Sequence, residues 1–366
     1  MKIVAVRMYQ LTMPISGAGY AMSRGRLTTS LDSTIVELVT DQGLSGWGES
    51  CPFGSNYLPG LAGAARAVIS ELAPHVVGQD PRATDVVNDI MDRKVMGHGF
   101  AKSAIDIACW DLIGKSNGVP LYLALGGLRN PKPIVRTGVT LAEGDDLAAT
   151  VAARRAKGFR VFSLKLGDDP YADIEQIRDA VKSLEVGELL VADANGGWRL
   201  DQALHVAHAT AEFPQVMFEQ PCASLADCVH LARRVPQTVV FDECVEDLPT
   251  LSQVVGVKDA TAFNLKIERV GGITKARQMR DYCLSMGCAL FIQEVGGAEI
   301  TQAATVHLAH ATPGEFLLGT SYPKVNIVTA DGAPELIEGR TVAGTGPGLG
   351  IAPRLQVLQS PVHVCS

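Results

Sequence analysis

Two kinds of hydrophobic pattern divide the chain. Residues 3–11 and 33–40 are rich in Val, Ile and Thr, and the second run passes through Asp41-Gln42-Gly43 into 44–49. This predicts a small antiparallel sheet closed by a hairpin. Apolar residues then recur at helical spacing over Ala62–Val77, Asp85–Val95 and Phe100–Lys115, the last with a stripe at 101, 104, 105, 108 and 112. From Pro120 the pattern changes to short apolar runs: Val161–Lys165, Leu189–Asp193, Val216–Glu219, Val239–Asp242 and Ala262–Lys266. The intervals have room for one strand, one helix and two turns, which predicts successive parallel strands of a βα array. Ile134–Leu141 before them, and Ala289–Glu294 and Phe316–Ser321 after them, bring the expected strands to eight. Helical stretches at Thr274–Met286 and Glu299–Ala311 lie between the last ones, and the Gly-rich segment 344–350 reads as irregular.

Each of the five central runs ends on a charged residue, in the order Lys165, Asp193, Glu219, Asp242, Lys266. A closed βα barrel brings the loops after its strands to one rim, where such folds carry their chemistry. One charged residue at a strand end is an ordinary surface charge, but five in register are not. Asp193, Glu219 and Asp242 make a hard oxygen set suited to Mg²⁺, and a lysine stands on each side of them.

Composition narrows the partners. The net charge of −7 and the lack of a basic run argue against nucleic acid or an acidic membrane surface, and no apolar run approaches about 18 residues. The opening Met1–Arg7 is too short and strand-like for a signal peptide, so a cytoplasmic protein acting on a small molecule is expected. Eight cysteines without a C-x-x-C pair are expected as reduced, mostly buried thiols. There is no P-loop pattern, and the pairs His205/His208 and His307/His310 fall inside helices rather than at strand ends.

The ladder Asp193-Ala194-Asn195, Phe218-Glu219-Gln220-Pro221, Asp242-Glu243 and Asn264-Leu265-Lys266 resembles the enolase superfamily, in its muconate-lactonising branch. Within that branch it is most similar to cis-3-hydroxy-L-proline dehydratases and to hydroxyproline or proline-betaine 2-epimerases. The resemblance implies a modified (β/α)7β barrel of TIM type under an α+β capping domain. The capping domain would span 1–118 and the barrel 119–325, with a tail at 326–366 returning to the cap. It also implies Mg²⁺ held by Asp193, Glu219 and Asp242, Lys165 and Lys266 as acid–base residues on opposite faces of the α-carbon, and cap loops at 14–26 and 51–57 closing over the substrate.

Removing a proton α to a carboxylate requires stabilisation of the enediolate as well as a base, which is the pairing of metal and lysine known for this superfamily. A lysine serves as base only if burial and nearby positive charge lower its pKa. The branch's usual Lys-x-Lys motif here reads Ser163-Leu164-Lys165, so one lysine is replaced and Ser163 is left to supply a hydrogen bond. Further substrate contacts are expected from Asn195, Tyr57, Thr320 and Glu294, the last as partner for a protonated secondary amine. The expected substrate is a free proline-type amino acid and the expected assembly a homo-oligomer.

Overall fold

The computed structural model describes every residue except Ala18, Arg24, Asn56, 140–145, 258–260, Pro323, Lys324 and Asn326. The distal end of the run predicted over Ile134–Leu141 therefore lies outside the described residues, as do parts of the loops at 14–26 and 51–57 and residue 326 of the expected tail.

The N-terminal unit carries strands β1 (Ile3–Pro14), β2 (Tyr20–Met22), β3 (Arg26–Thr28), β4 (Ser30–Thr40) and β5 (Ser45–Ser50). Helices α1 (Ala62–Val76), α2 (Thr84–Lys94) and α3 (Gly99–Asn117) follow. The segment His363–Cys365 pairs antiparallel with β1, giving a four-stranded sheet in the order His363–Cys365, β1, β4, β5. Within the Gly-rich stretch between β1 and β4, β2 and β3 pair antiparallel where the sequence reading expected plain loop. β5 packs on α3 through glycine: a Cβ at Gly48 would lie 1.8 Å from the carbonyl oxygen of Ala104, and one at Gly46 2.2 Å from that of Ala108. Buried Val36, Leu38, Ile69, Leu72 and Ile105 form the core between sheet and helices, each worth about 1.5–3 kcal/mol of burial.

After the short α4 (Leu121–Ala124), β6 (Arg136–Gly138) opens an eight-stranded parallel sheet. It continues through β7 (Val161–Lys165), β8 (Leu189–Asp193), β9 (Val216–Glu219), β10 (Thr238–Phe241), β11 (Thr261–Lys266), β12 (Ala289–Gln293) and β13 (Leu317–Thr320) in sequential order. The parallel bridge Val135↔Thr320, with Thr320 N–H donating to the Ile134 carbonyl at 2.8 Å, joins the last strand to the first and closes the barrel. The crossover helices are α5 (Leu147–Ala156), α6 (Pro170–Lys182), α7 (Leu200–Ala209), α8 (Leu225–Ala232) and α9 (Leu248–Val254). The short α10 (Ile267–Val270) precedes α11 (Ile273–Ser285), and α12 (Glu299–His310) completes the set. This is the TIM-type barrel with an α+β cap that the resemblance implied.

Asp146, Asp169, Ser224 and Asp247 cap α5, α6, α8 and α9 with their own side chains, satisfying N–H groups left open by the first turn. For α11 and α12 the corresponding carboxylates come from the cap. Asp106 of α3 accepts from Thr274 N at 2.9 Å, and Glu49 of β5 accepts from Ala298 N and Thr301 N at 3.1 Å each. Gly272, at φ +113°, could carry no side chain there, because its Cβ would fall 2.4 Å from Asp106 Oδ2. The helical histidines His307 and His310 are buried and bonded to backbone, His307 Nε2 to the Leu349 carbonyl and His310 Nδ1 to that of Asn130.

Candidate active site

The two-residue period of a strand sorts every barrel residue to one side. Phe162, Leu164, Leu190, Ala192, Phe218, Phe241, Phe263, Leu265 and Ile292 join the large core under the helices. Val161, Val191, Val240, Ala262 and Phe291 form a separate plug inside the barrel. Register then carries the inward face upward from that plug: from Val161 to Ser163 and Lys165, from Val191 to Asp193, from Val240 to Asp242, from Ala262 to Asn264 and Lys266, and from Phe291 to Gln293. The pairings Lys165↔Asp193 and Asp193↔Glu219 set these ends side by side. The polar site is therefore the top layer of a packed barrel interior.

Lys165 Nζ donates to Asp193 Oδ2 at 2.5 Å and to Asn195 Oδ1 at 2.8 Å, and lies 5.3 Å from the centre of the Tyr20 ring. Across the site, Lys266 Nζ is 3.3 Å from Gln293 Oε1 and 3.8 Å from Asp242 Oδ2. Between them the Asn264 amide donates to Glu219 Oε1 at 2.5 Å and reaches Asp242 Oδ2 at 3.4 Å. Arg269 Nη1 donates to Asp242 Oδ1 at 2.6 Å. Arg136 rises from β6, donates to Ser163 Oγ at 3.1 Å, and places Nη2 2.5 Å from Glu219 Oε2 and 3.5 Å from Asp193 Oδ2. The cap reaches the same space: Tyr57 OH is 3.4 Å from Asp242 Oδ2, and the Tyr20, Phe53 and Tyr57 rings stand edge to face at 5.0 and 6.0 Å.

Burial decides much of the electrostatics. It pushes Glu219 up to about 7, with Arg136 opposing and the neighbouring aspartates adding to the rise. It also pushes Glu243, whose carboxylate accepts from the Asn195 amide, up to about 8, helped by Asp242 and Asp193. Asp242 goes the other way, to about 2, because Lys266 and Arg269 outweigh its burial. Burial would lower Lys165 too, but the carboxylate of Asp193, with Tyr20 and Glu219, outweighs it and raises the pKa. The sequence expectation of a depressed lysine is thus not met by the protein's own groups, because Asp193 stabilises the ammonium at contact distance.

Among the described residues, no three Asp, Glu, His or Cys side chains are drawn into a ready-made ligand cluster. The carboxylates of Asp193, Glu219 and Asp242 are instead each held by the chain's own cations. The donor set still fits a hard divalent cation: the carboxylates lie on adjacent strands, all are buried, and Glu219 Oε2 has no aligned hydrogen-bond donor despite its ion pair.

The structure brings together Lys165, Asp193, Asn195, Glu219, Asp242, Lys266, Ser163 and Tyr57. Glu294 lies just past β12 with its carboxylate on the Ser321 hydroxyl. Thr320 is not in the site. A register shift between β12 and β13 pairs Leu290 with Leu317 but Phe291 with Gly319, and this extra residue reverses the alternation. Thr320, opposite Ile292 and Val135, consequently faces the helix layer, while Gly319 faces the interior. The sequence reading missed Arg136, Arg269, Gln293 and Tyr20. Arg136 carried a usable signal, being a lone charge in an apolar strand at the same parity as Ile134, and Tyr20 had none.

Known proteins resemble this chain over nearly its whole length. The family model described as "Enolase C-terminal domain-like" matches residues 146–357, and that of the "Mandelate racemase / muconate lactonizing enzyme, N-terminal domain" matches 5–126. A cis-3-hydroxy-L-proline dehydratase from Roseibium aggregatum is 40% identical over 366 residues, covering 99% of each chain. A crystal structure of a mandelate racemase/muconate lactonizing enzyme from Roseovarius nubinhibens ISM superposes with a TM-score of 0.95 at 34% identity, covering 100% of this chain and 98% of that one. A member of the enolase superfamily from the same organism, complexed with magnesium, gives 0.94 at 33% identity, covering 100% and 99%.

Proposed function

The chain belongs to the mandelate racemase/muconate lactonizing enzyme family of the enolase superfamily, and from that premise we propose that it dehydrates cis-3-hydroxy-L-proline by Mg²⁺-dependent removal of the α-proton. The observation that carries the reading is the pair of lysines flanking the carboxylates, Lys165 on Asp193 and Lys266 beside Asp242. The dehydratase relative of matching length supports the substrate class. A cation held by Asp193, Glu219 and Asp242 would supply charge stabilisation for the developing enediolate.

The remaining work falls to the chain. One lysine takes the α-proton. Carbanion character beside C3 then expels the C3 hydroxyl, which leaves as water once protonated, and the enamine formed tautomerises to the cyclic imine Δ1-pyrroline-2-carboxylate. In this reading Glu294 pairs with the secondary amine, and Ser163 and Asn195, held by Arg136 and Lys165, orient the substrate. Tyr20, Phe53 and Tyr57 close the site from the cap and exclude water. A second reading, 2-epimerisation of proline-type acids, draws on the same lysines, since groups on opposite faces can remove a proton and return one.

The test is to incubate the full chain with cis-3-hydroxy-L-proline and Mg²⁺ in D₂O and follow products by NMR. Cyclic imine should form, thorough chelation should abolish it, and Lys165→Ala and Lys266→Ala should each lose about 10²-fold or more of the rate. Fast epimerisation of 4-hydroxyproline betaine with no imine from the first substrate would overturn the dehydratase reading, and full activity after chelation would overturn the metal.

A further inference from the structure

One of the two shortest charge contacts inside the barrel comes from a residue outside the carboxylate–lysine ladder. Arg136 sits on β6 with its side chain buried, its guanidinium 5.1 Å from the centre of the Phe291 ring. Gly319 faces this seat from β13: a Cβ there would come 3.2 Å from the Phe291 ring and 3.6 Å from Arg136 Cβ. The guanidinium thus lies over the Phe291 ring, and Gly319 leaves room beside that ring and the base of the arginine side chain, a seat that favours Arg over a compact ammonium.

The other cations of the site each have an aspartate. Lys165 is on Asp193 and Arg269 on Asp242. Glu219, fully buried, has the Asn264 amide on one oxygen and Arg136 on the other. The contact between Arg136 Nη2 and Glu219 Oε2 lacks hydrogen-bond alignment, and Arg136 Nη1 is buried without a hydrogen-bond partner. The attraction is accordingly one of charge rather than of direction, and a second cation can compete with it without breaking a directed bond.

We propose that Arg136 is a resident counter-cation for Glu219 and Asp193, which keeps the carboxylates assembled without metal and sets their affinity for divalent metal by competing for them. This rests on the reading that these carboxylates hold the metal. Arg136 is in this role a positioning residue: it tunes the site's charge through Glu219 and Asp193.

The experiment uses the full-length chain stripped of metal, with Mn²⁺ binding followed by electron paramagnetic resonance, Mg²⁺ binding by calorimetry, and thermal unfolding with and without metal. Arg136→Met should bind both ions at least about tenfold more tightly than wild type. Its metal-free Tm should fall, and the gap between metal-free and metal-loaded Tm should widen. Arg136→Lys, which keeps the charge, should return both quantities toward wild type. If Arg136→Met does not fold, Arg136→Gln, which keeps a donor for Ser163 without the charge, carries the same expectation. A folded neutral variant that binds metal no more tightly than wild type overturns the inference. A wild-type chain that binds neither ion overturns instead the metal reading on which it rests.

Discussion

Single buried carboxylates carry the pH response of this molecule. Glu268 of α10 is fully buried, accepts from Val295 N at 3.1 Å, and is pushed up to about 8 by burial, with Glu294 and Glu49 adding to the rise. Since its ordinary value is near 4.5, the folded state binds this proton more tightly than the unfolded state between the two values. Its contribution to stability is therefore complete below about pH 4.5 and is lost as pH rises through about 8. Glu268→Gln, neutral at every pH, should melt with a shallower decline than wild type between about pH 4.5 and 8, measured by calorimetry. Equal slopes for the two proteins would refute the assignment. At this scale the sequence was informative where chemistry coincided with a strand end. Arg136 was legible only as a lone charge at the parity of Ile134 in a predicted strand, and Tyr20 of β2 not at all, because a contact made from the cap leaves no local periodic signal in the barrel.

Elements were legible where one period held for several residues. The apolar runs that predict β7 to β12 appear within a residue or two of the expected bounds, because both sides of these strands are buried, one under helices and one in the plug. The shift in β13 was not legible. Its sequence, Leu317-Leu318-Gly319-Thr320, reads equally well in either phase, and only pairing with β12 shows which parity turns inward. The glycines of β5 were likewise unremarkable until α3 was seen against them. Gly48→Ala should cost about 3 kcal/mol, because the added methyl meets the Ala104 carbonyl and neither strand nor helix can retreat without opening the cap core. Urea unfolding checks this, and a midpoint equal to wild type would mean that β5 and α3 part more readily than their packing indicates.

Across the whole molecule, the cap is fastened to the barrel by carboxylates that serve as helix caps in trans. Glu49 accepts from Ser33 Oγ, Ala298 N, Thr301 N and Thr301 Oγ1, so all of its partners are donors. Glu49→Gln replaces one accepting oxygen with an amide that must face a donor, which should destabilise the chain by about 2 kcal/mol. It should also raise KM for the proposed substrate, because Tyr20 and Tyr57 reach the site from the unit that Glu49 anchors. Thermal unfolding and steady-state kinetics on the same sample decide it, and unchanged values in both would remove Glu49 from this role.

The barrel closes where its first and last strands meet at Val135 and Thr320, and Arg136 and Gly319 stand beside that seam. Joining segments so far apart in the chain is the contact of greatest loop-closure entropy in the barrel, so it belongs late in folding. A chain still emerging from the ribosome can form its cap core and the middle strands, with Lys165, Asp193 and Glu219 already neighbours, yet lack the wall that seats Arg136. The seat that Phe291 and Gly319 give Arg136 is thus expected to be complete only once β12 and β13 are in place, so that the final charge balance of the site is a property of the closed barrel and not of its middle strands.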